Sequence, residues 1–472
     1  MMVLRIINLL HLSFLFIGLN CFGQNKNNKP NIIIILTDDQ GYQDVGCYGS
    51  TDISTPNLDK MAKEGMRFTD FYVADPVCSP SRAALLTGCY PKRVGVSKVF
   101  FPNRKPEGLD TKYTTIAEVL KSAGYATKAI GKWHLGDKKQ YLPTQHGFDS
   151  YFGIPYSNDM MPAKDMDYSK DCNFREGITL DSLMNSLDES VVRKGHVMNA
   201  RVPLMENEEC IEFPADQSTI TQRYTDVGLQ FISKEAQSNR PFFLYLAHSM
   251  PHVPLYASEK FKGKSKRGLY GDVIEEIDHN IGRLLKHLQK EGIDDNTLVI
   301  FTSDNGPWLT MGKNGGSALP LFEGKFTFFD GGLRVPTIMR WPDVIPEESI
   351  CNEVASTIDL LPTIANISKT KLDIPYSTDG KNILDLIKAL PNASSPHKYF
   401  FYRDYAVRWG DWKYHKKQIY KVKKTERDNK GEALYNIKND VGEQINLIVQ
   451  YPDIAKKLRT VLDKHNLTLI KQ

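Results

Sequence analysis

Asn31-Ile32-Ile33-Ile34-Ile35-Leu36-Thr37-Asp38-Asp39 is an unbroken aliphatic run that stops at two carboxylates. A continuous β-branched stretch without alternation reads as a strand covered on both faces, the interior of a parallel sheet. The design recurs twice. Phe242-Phe243-Leu244-Tyr245-Leu246 is followed by His248 and His252, and Leu298-Val299-Ile300-Phe301 by Asp304-Asn305. In open α/β sheets, ligands bind beyond the carboxyl ends of the strands. Three such strands would bring carboxylates, an amide and imidazoles to one edge.

Helical segments alternate with these strands. Thr115 to Ala123 reads as a short helix closed by Gly124. Tyr270 to Glu291 carries Val273, Ile277, Ile281, Leu284, Leu285 and Leu288 on one face, and Gly292 stops it. The expected fold is α/β, a large mixed and mostly parallel sheet with helices on both faces. Residues 155–215 carry no recognisable buried strand and read as inserted loops, either shaping the site or merely solvated. Beyond Pro362 the segments become short, aromatic and alternating, as in Tyr399-Phe400-Phe401-Tyr402 and Trp412-Lys413-Tyr414. They suggest a small antiparallel sheet, closed by a helix from Pro452 to His465. The expected division is 1–23 signal peptide, 24–365 catalytic domain and 366–472 C-terminal α+β subdomain. Residues 398–430 hold 11 Lys+Arg against 4 Asp+Glu. That run reads as a solvated sheet edge or as a surface for a polyanionic substrate.

Over the 472 residues, 60 Lys+Arg against 56 Asp+Glu leave a net charge of +4, too small to imply nucleic-acid binding. Arg5 precedes an apolar run from Ile6 to Leu19, too short for a stable membrane span and suited to a signal-peptide core. Cleavage before Gln24 and release to the periplasm is the expectation; lipidation at Cys21 and full secretion are the alternatives. The other cysteines of the seven are at 47, 78, 89, 172, 210 and 351, with no metal-type CxxC spacing. Export permits disulfides, but this spacing reveals no pairing.

Cys78-Ser79-Pro80-Ser81-Arg82-Ala83-Ala84-Leu85-Leu86-Thr87-Gly88 reads as a turn entering a helix, with Pro80 in the first turn. Cys78 then sits at a helix N-terminus, where free N–H groups favour an anion, and Arg82 lies one turn on. The physical reading is a nucleophile beside an oxyanion site; the alternative is a buried structural cysteine.

The stretch fits C-x-P-S-R-x-x-x-L-T-G and so resembles the type I sulfatases of the alkaline phosphatase-like superfamily. Further similar segments are Asp38-Asp39, Gly131-Lys132-Trp133-His134-Leu135-Gly136, His252-Val253-Pro254, Asp304-Asn305-Gly306, Gly324-Lys325, and Ala433 to Ile437 through Glu443 to Leu447. The likeness spans about residues 30–465. It implies that a maturation enzyme converts Cys78 to Cα-formylglycine, whose hydrate attacks sulfur with one hydroxyl and releases sulfate through the other. It also implies Ca²⁺ held by Asp38, Asp39, Asp304, Asn305 and residue 78, an oxygen-rich set of the kind Ca²⁺ prefers. No His or Cys thiolate set for Zn²⁺ is expected. Arg82, Lys132 and Lys325 would add positive charge at the transition state. His134 would contact residue 78 and act as base in the release step, and His252 would be the acid for the leaving oxygen. His248 stays open between a substrate pocket and a structural role.

The implied reaction is hydrolysis of sulfate esters, on sulfated carbohydrate such as algal galactan, ulvan or glycosaminoglycan. The alternative is a phosphonate monoester or phosphodiester hydrolase of the same superfamily, which would resemble a site with Asp-His where this chain has Asp304-Asn305. Tyr42, Gln43, Arg93, Tyr156, Asn158, Trp308 and Arg403 are candidate substrate contacts.

Overall fold

A computed structural model describes residues 29–103, 107–163, 165–186, 201–422 and 431–469. The signal-peptide expectation, with Cys21 and the Gln24 cleavage point, lies outside them, as does part of the basic run.

Among the described residues the main sheet has eleven strands. Its centre is β10 (Thr297–Ser303), β1 (Asn31–Thr37), β9 (Phe242–Ala247), β4 (Ala126–Gly131) and β5 (Ser150–Gly153), neighbours in that order and all parallel. On one side follow β11 (Thr337–Arg340), β2 (Met66–Phe68) and β12 (Ser349–Cys351). On the other follow β7 (Leu204–Glu206), β8 (Glu209–Phe213) and β6 (Asp167–Phe174). The 155–215 segment is therefore not an excursion of loops. It supplies three edge strands, whose Leu204, Met205, Cys210 and Phe213 are buried. β7 and β8 are short, β6 is mostly polar, and their pairing is irregular in register, so no apolar run announces them.

The covering of both faces follows from β1 itself. Ile32, Ile34 and Leu36 join one core with Leu85, Ile116 and Leu360, while Ile33 and Ile35 join the other with Tyr224, Ile277 and Leu284. Alternate residues of a strand point to opposite faces, so a strand in mid-layer must be apolar throughout. The helix Leu269–Lys290 buries Val273, Ile277, Ile281, Leu284, Leu285 and Leu288 as expected from their spacing. Thr115 caps the helix Ile116–Ser122 in a capping box with Glu118.

Two short strands, β3 (Phe71–Tyr72) and β13 (Ala355–Ser356), pair beside the main sheet. The C-terminal sheet runs β14 (Phe400–Tyr402), β15 (Ala406–Trp409), β16 (Trp412–His415), β17 (Ala433–Asn436), antiparallel throughout. Its Val407, Tyr414 and Leu434 pack on Ala455, Leu458 and Leu462 of the helix Pro452–Thr468. At the seam with the main layer, Phe400, Tyr402 and Ala406 join the main core, and buried ions lie beside them. Lys413, fully buried, lies 2.7 Å from Asp330 and 3.0 Å from Glu443, and His415 Nε2–H donates to Glu443 Oε1 at 2.9 Å. Arg408 reaches Asp70 at 2.6 Å and the Tyr72 hydroxyl at 2.6 Å. Two residues of the basic run are thus neither solvated nor open to substrate; they are sealed inside.

Candidate active site

Because β10, β1, β9 and β4 are parallel neighbours, their carboxyl ends lie side by side. Asp304-Asn305, Asp38-Asp39, His248 to His252 and Lys132 to His134 leave those four ends in order. The helix Cys78–Thr87 starts at Cys78 itself, and its Gly88 closes it with φ +67°. Gly131 is required at the end of β4: its φ is +100°, and a Cβ there would fall 1.8 Å from the Ala247 carbonyl oxygen. Asp39 and His134 also have positive φ, 63° and 59°. For non-glycine residues that is strain of about 1–3 kcal/mol, held by the surrounding fold.

The side chains converge in a buried cluster. Cys78 Sγ is 3.5 Å from Asp38 Oδ1 and 3.5 Å from Lys325 Nζ. Lys325 also meets Asp39 at 2.6 Å. Lys132 pairs with Asp38 and donates to Ser157 Oγ at 3.1 Å. Arg82 donates through Nε to Asp304 Oδ2 at 2.9 Å and through Nη1 to the Lys132 carbonyl at 2.6 Å. Asn305 Nδ2 donates to Asp39 Oδ1 at 2.7 Å. His252 Nε2 lies 3.6 Å from Asp39 Oδ2. Its Nδ1 faces the Val253 carbonyl at 2.6 Å and Asn158 Oδ1 at 3.2 Å, so Nδ1 carries the proton in the neutral ring.

The electrostatics follow from burial and these pairs. Burial pushes the Asp38 carboxyl up, yet Lys132, His252, Arg82 and Lys325 outweigh it and hold the group well below the carboxylate range. Asp304 is pushed up to about 6 by burial and by the charge of Asp38. Burial raises the Cys78 thiol well above its ordinary range despite Lys132 and Lys325. Burial thus works against the thiolate, the form in which a cysteine is nucleophilic. Burial, then Lys132 and Arg82, keep His134 neutral. His134 does not hydrogen-bond residue 78: its Nε2 faces the Phe100 carbonyl at 3.0 Å, and its buried Nδ1 has no hydrogen-bond partner among the described residues. With Nε2–H donated to a carbonyl, Nδ1 keeps a basic lone pair.

The donor set fits a hard cation. Carboxylates of Asp38, Asp39 and Asp304 share the site with Asn305, whose buried Oδ1 has no hydrogen-bond partner among the described residues. The sequence-based expectation of no His/Cys set is corrected in one respect: ligand atoms of Asp38, Asp39, Cys78 and His252 lie within 4.8 Å of one another. The fold gathers from separate strands what sequence spacing keeps apart.

The other candidates divide by burial. Trp308 is half-buried beside the site, its ring 5.6 Å from His252 and 4.9 Å from Lys325 Nζ. Asn158 orients His252. Tyr42 and Tyr156 are in the core, their hydroxyls engaged by Thr69 and Ala163, which removes them as substrate contacts. Arg93 is held by Asp379 at 2.8 Å, Arg403 lies 3.3 Å from Asp75, and Gln43 accepts from Ser317. His248 is buried with neither ring nitrogen partnered among the described residues. Ser157 was not foreseen; a lone serine between Tyr156 and Asn158 carries no signal until Lys132 is seen to reach it.

Fold and cluster together define an α/β enzyme built around a buried, cation-rich anion site. The family model described as Sulfatase matches residues 30–369, and one described as N-sulphoglucosamine sulphohydrolase, C-terminal, matches residues 320–468. The chain is 34% identical to the N-acetylgalactosamine-6-sulfatase of Canis lupus familiaris, over 96% of this chain and 88% of that protein. It is 36% identical to arylsulfatase A of Homo sapiens, over 82% and 74%. Among solved structures, a PsFucS1 sulfatase from Pseudoalteromonas sp. superposes with a TM-score of 0.79 at 27% identity, covering 94% and 91%. Ps i-CgsB in complex with k-i-k-neocarrahexaose gives 0.76 at 30% identity, covering 93% of each chain. The chain belongs to the sulfatase family and is a sulfuric ester hydrolase. Among its described residues no helix is long and apolar enough to cross a membrane.

Proposed function

We propose that this enzyme removes sulfate from a sulfated polysaccharide or its oligosaccharides, using formylglycine made from Cys78 and a bound Ca²⁺. The carrying observation is the single cluster in which Cys78 touches both Asp38 and Lys325 while Arg82 and Lys132 flank it. Relatives named for N-acetylgalactosamine-6-sulfate and a neighbour bound to a carrageenan-type oligosaccharide support a glycan substrate.

Asp38, Asp39, Asp304 and Asn305, with residue 78, would hold the cation, which when bound supplies positive charge for the sulfate oxygens. Hydrated formylglycine supplies the attacking hydroxyl and the second hydroxyl needed for release. The remaining work belongs to the chain. Arg82 orients Asp304 and adds charge with Lys132 and Lys325 where the transition state becomes more anionic. His252, positioned by Asn158 and the Val253 carbonyl, gives the leaving oxygen the Nε2 proton of its imidazolium form and is left as the neutral ring protonated at Nδ1. His134 takes the proton from the second hydroxyl of residue 78 through Nδ1. A maturation enzyme reading Cys78, Pro80 and Arg82 would make the modification before folding buries them. The Ile6–Leu19 run supports export, most simply to the periplasm, with residues 24–365 as catalytic domain and 366–472 as C-terminal subdomain.

Sulfate release from a panel of defined sulfated oligosaccharides tests the reading, with a phosphonate monoester as control. Turnover of a sulfated sugar should vanish on chelation and return with Ca²⁺ more fully than with Zn²⁺. Faster cleavage of the phosphonate, or turnover that survives chelation, overturns it.

A further inference from the structure

The edge strand β6 is weakly attached. Half of its residues are exposed, it lies outermost in the sheet, and among the described residues it pairs only with β8. That ladder is interrupted: Tyr168 pairs with Cys210 and Asn173 with Glu212, so five steps along β6 match two along β8. The excess chain forms a bulge, and residues in a bulge are released from ladder pairing. Cys172 lies in it. Its Sγ lies 4.0 Å from Cys210 Sγ, across the gap in the ladder. Among the described residues no other two cysteines are hydrogen-bonded sulfur to sulfur; Cys89, for instance, points to the Ser377 carbonyl at 3.9 Å.

We propose that Cys172 and Cys210 are a disulfide site, closed by a small or protein-bound disulfide that acts as oxidant. A disulfide needs about 2.05 Å between sulfurs, so roughly 2 Å must be closed, within reach of a side-chain rotation in a bulge. The two thiols are unequal, which sets the order of events. Cys172 is half-buried and Cys210 fully buried. The Cys172 thiolate attacks the oxidant, forming a mixed disulfide and expelling one thiolate. The Cys210 thiolate then attacks Cys172 Sγ, forming the intramolecular bond and expelling the second. The two protons shed by the cysteine thiols end on the two expelled thiolates, so the two electrons lost by the cysteine pair reduce the oxidant to two thiols. Burial raises both thiols, Cys210 more, so closure is slow at neutral pH and faster at alkaline pH. The bond spans 38 residues of sequence and would staple the edge strand across the gap in its ladder.

The full chain is incubated with oxidised glutathione, alkylated and digested without reduction for mass spectrometry. The expected product is a linked Cys172–Cys210 peptide pair, lighter by two hydrogens than the separate thiol peptides, with Cys47, Cys89 and Cys351 alkylated. Oxidised protein should melt several degrees above the reduced form. Cys172→Ser should lose both the linked peptide and that gain. Alkylation of both residues after oxidation, glutathione left on Cys172 with Cys210 alkylated, or linkage of either to another cysteine would overturn the proposal. So would an equal gain in melting temperature for Cys172→Ser.

Discussion

At the scale of single residues, the site is a set of opposed charges that burial makes strong. Lys132, Arg82 and Lys325 are cations with almost no contact with water, each lodged against a carboxylate. The two histidines differ in what orients them. His252 has its Nδ1 fixed by Val253 and Asn158, leaving Nε2 for chemistry, whereas His134 has its Nε2 fixed by Phe100. In the proposed mechanism this difference becomes a division of labour. A sugar alkoxide is a basic leaving group and needs a proton as the S–O bond breaks; nitrophenolate does not. His252→Ala should therefore cost about 10²–10⁴-fold on a sulfated sugar and far less on nitrophenyl sulfate. His134→Ala should harm both alike, because it acts after the leaving group has gone. Steady-state rates on the two substrates decide it, and equal losses for His252→Ala would remove it from the acid role.

At the scale of elements, each central strand ends in working residues, and not all of them work. His248 leaves β9 with the same sequence signature as His252, yet lies buried against Tyr224 with neither nitrogen partnered among the described residues. Burial lowers its pKa to about 4, so the ring stays neutral in the fold but charges once unfolded below about 6.5. Between those values the unfolded chain binds the extra proton, and His248 subtracts stability as pH falls, by roughly 3 kcal/mol at full effect. Denaturant unfolding of His248→Gln should accordingly show a shallower loss from pH 7 to pH 4 than the unaltered protein. A parallel loss in both would contradict a neutral buried ring. The pair shows how far sequence carries. β1, β9 and β10 were legible because a strand in mid-layer must be apolar at every position, and their terminal polar residues marked the edge. The strands β6, β7 and β8 were not legible, since edge strands tolerate polar residues and β6 is broken by a bulge. Tyr42 and Tyr156 misled for a related reason: an aromatic hydroxyl serves a core hydrogen bond as readily as a substrate.

At the scale of the whole molecule, the C-terminal sheet is joined to the catalytic layer through buried ions. Asp330 accepts from Lys413 and from the Tyr72 and Tyr402 hydroxyls, and Glu443 accepts from the Asp330 backbone N–H. Removing one partner leaves the others charged and dry. Lys413→Met should destabilise the protein by about 3–5 kcal/mol, measured by chemical denaturation; a loss under about 1 kcal/mol would show that the seam does not depend on this ion pair. All of this architecture holds one helix N-terminus, with residue 78 at its first position, against Asp38 and Lys325. Release of sulfate in the proposed catalysis needs a second hydroxyl on residue 78, which a thiol does not supply, so it requires conversion of Cys78 to the aldehyde. Peptide mass spectrometry of active protein, paired with its rate of sulfate release, tests this directly. Activity should scale with the fraction of residue 78 found as formylglycine and vanish in Cys78→Ala; full activity with an intact thiol, or in that variant, would contradict the account.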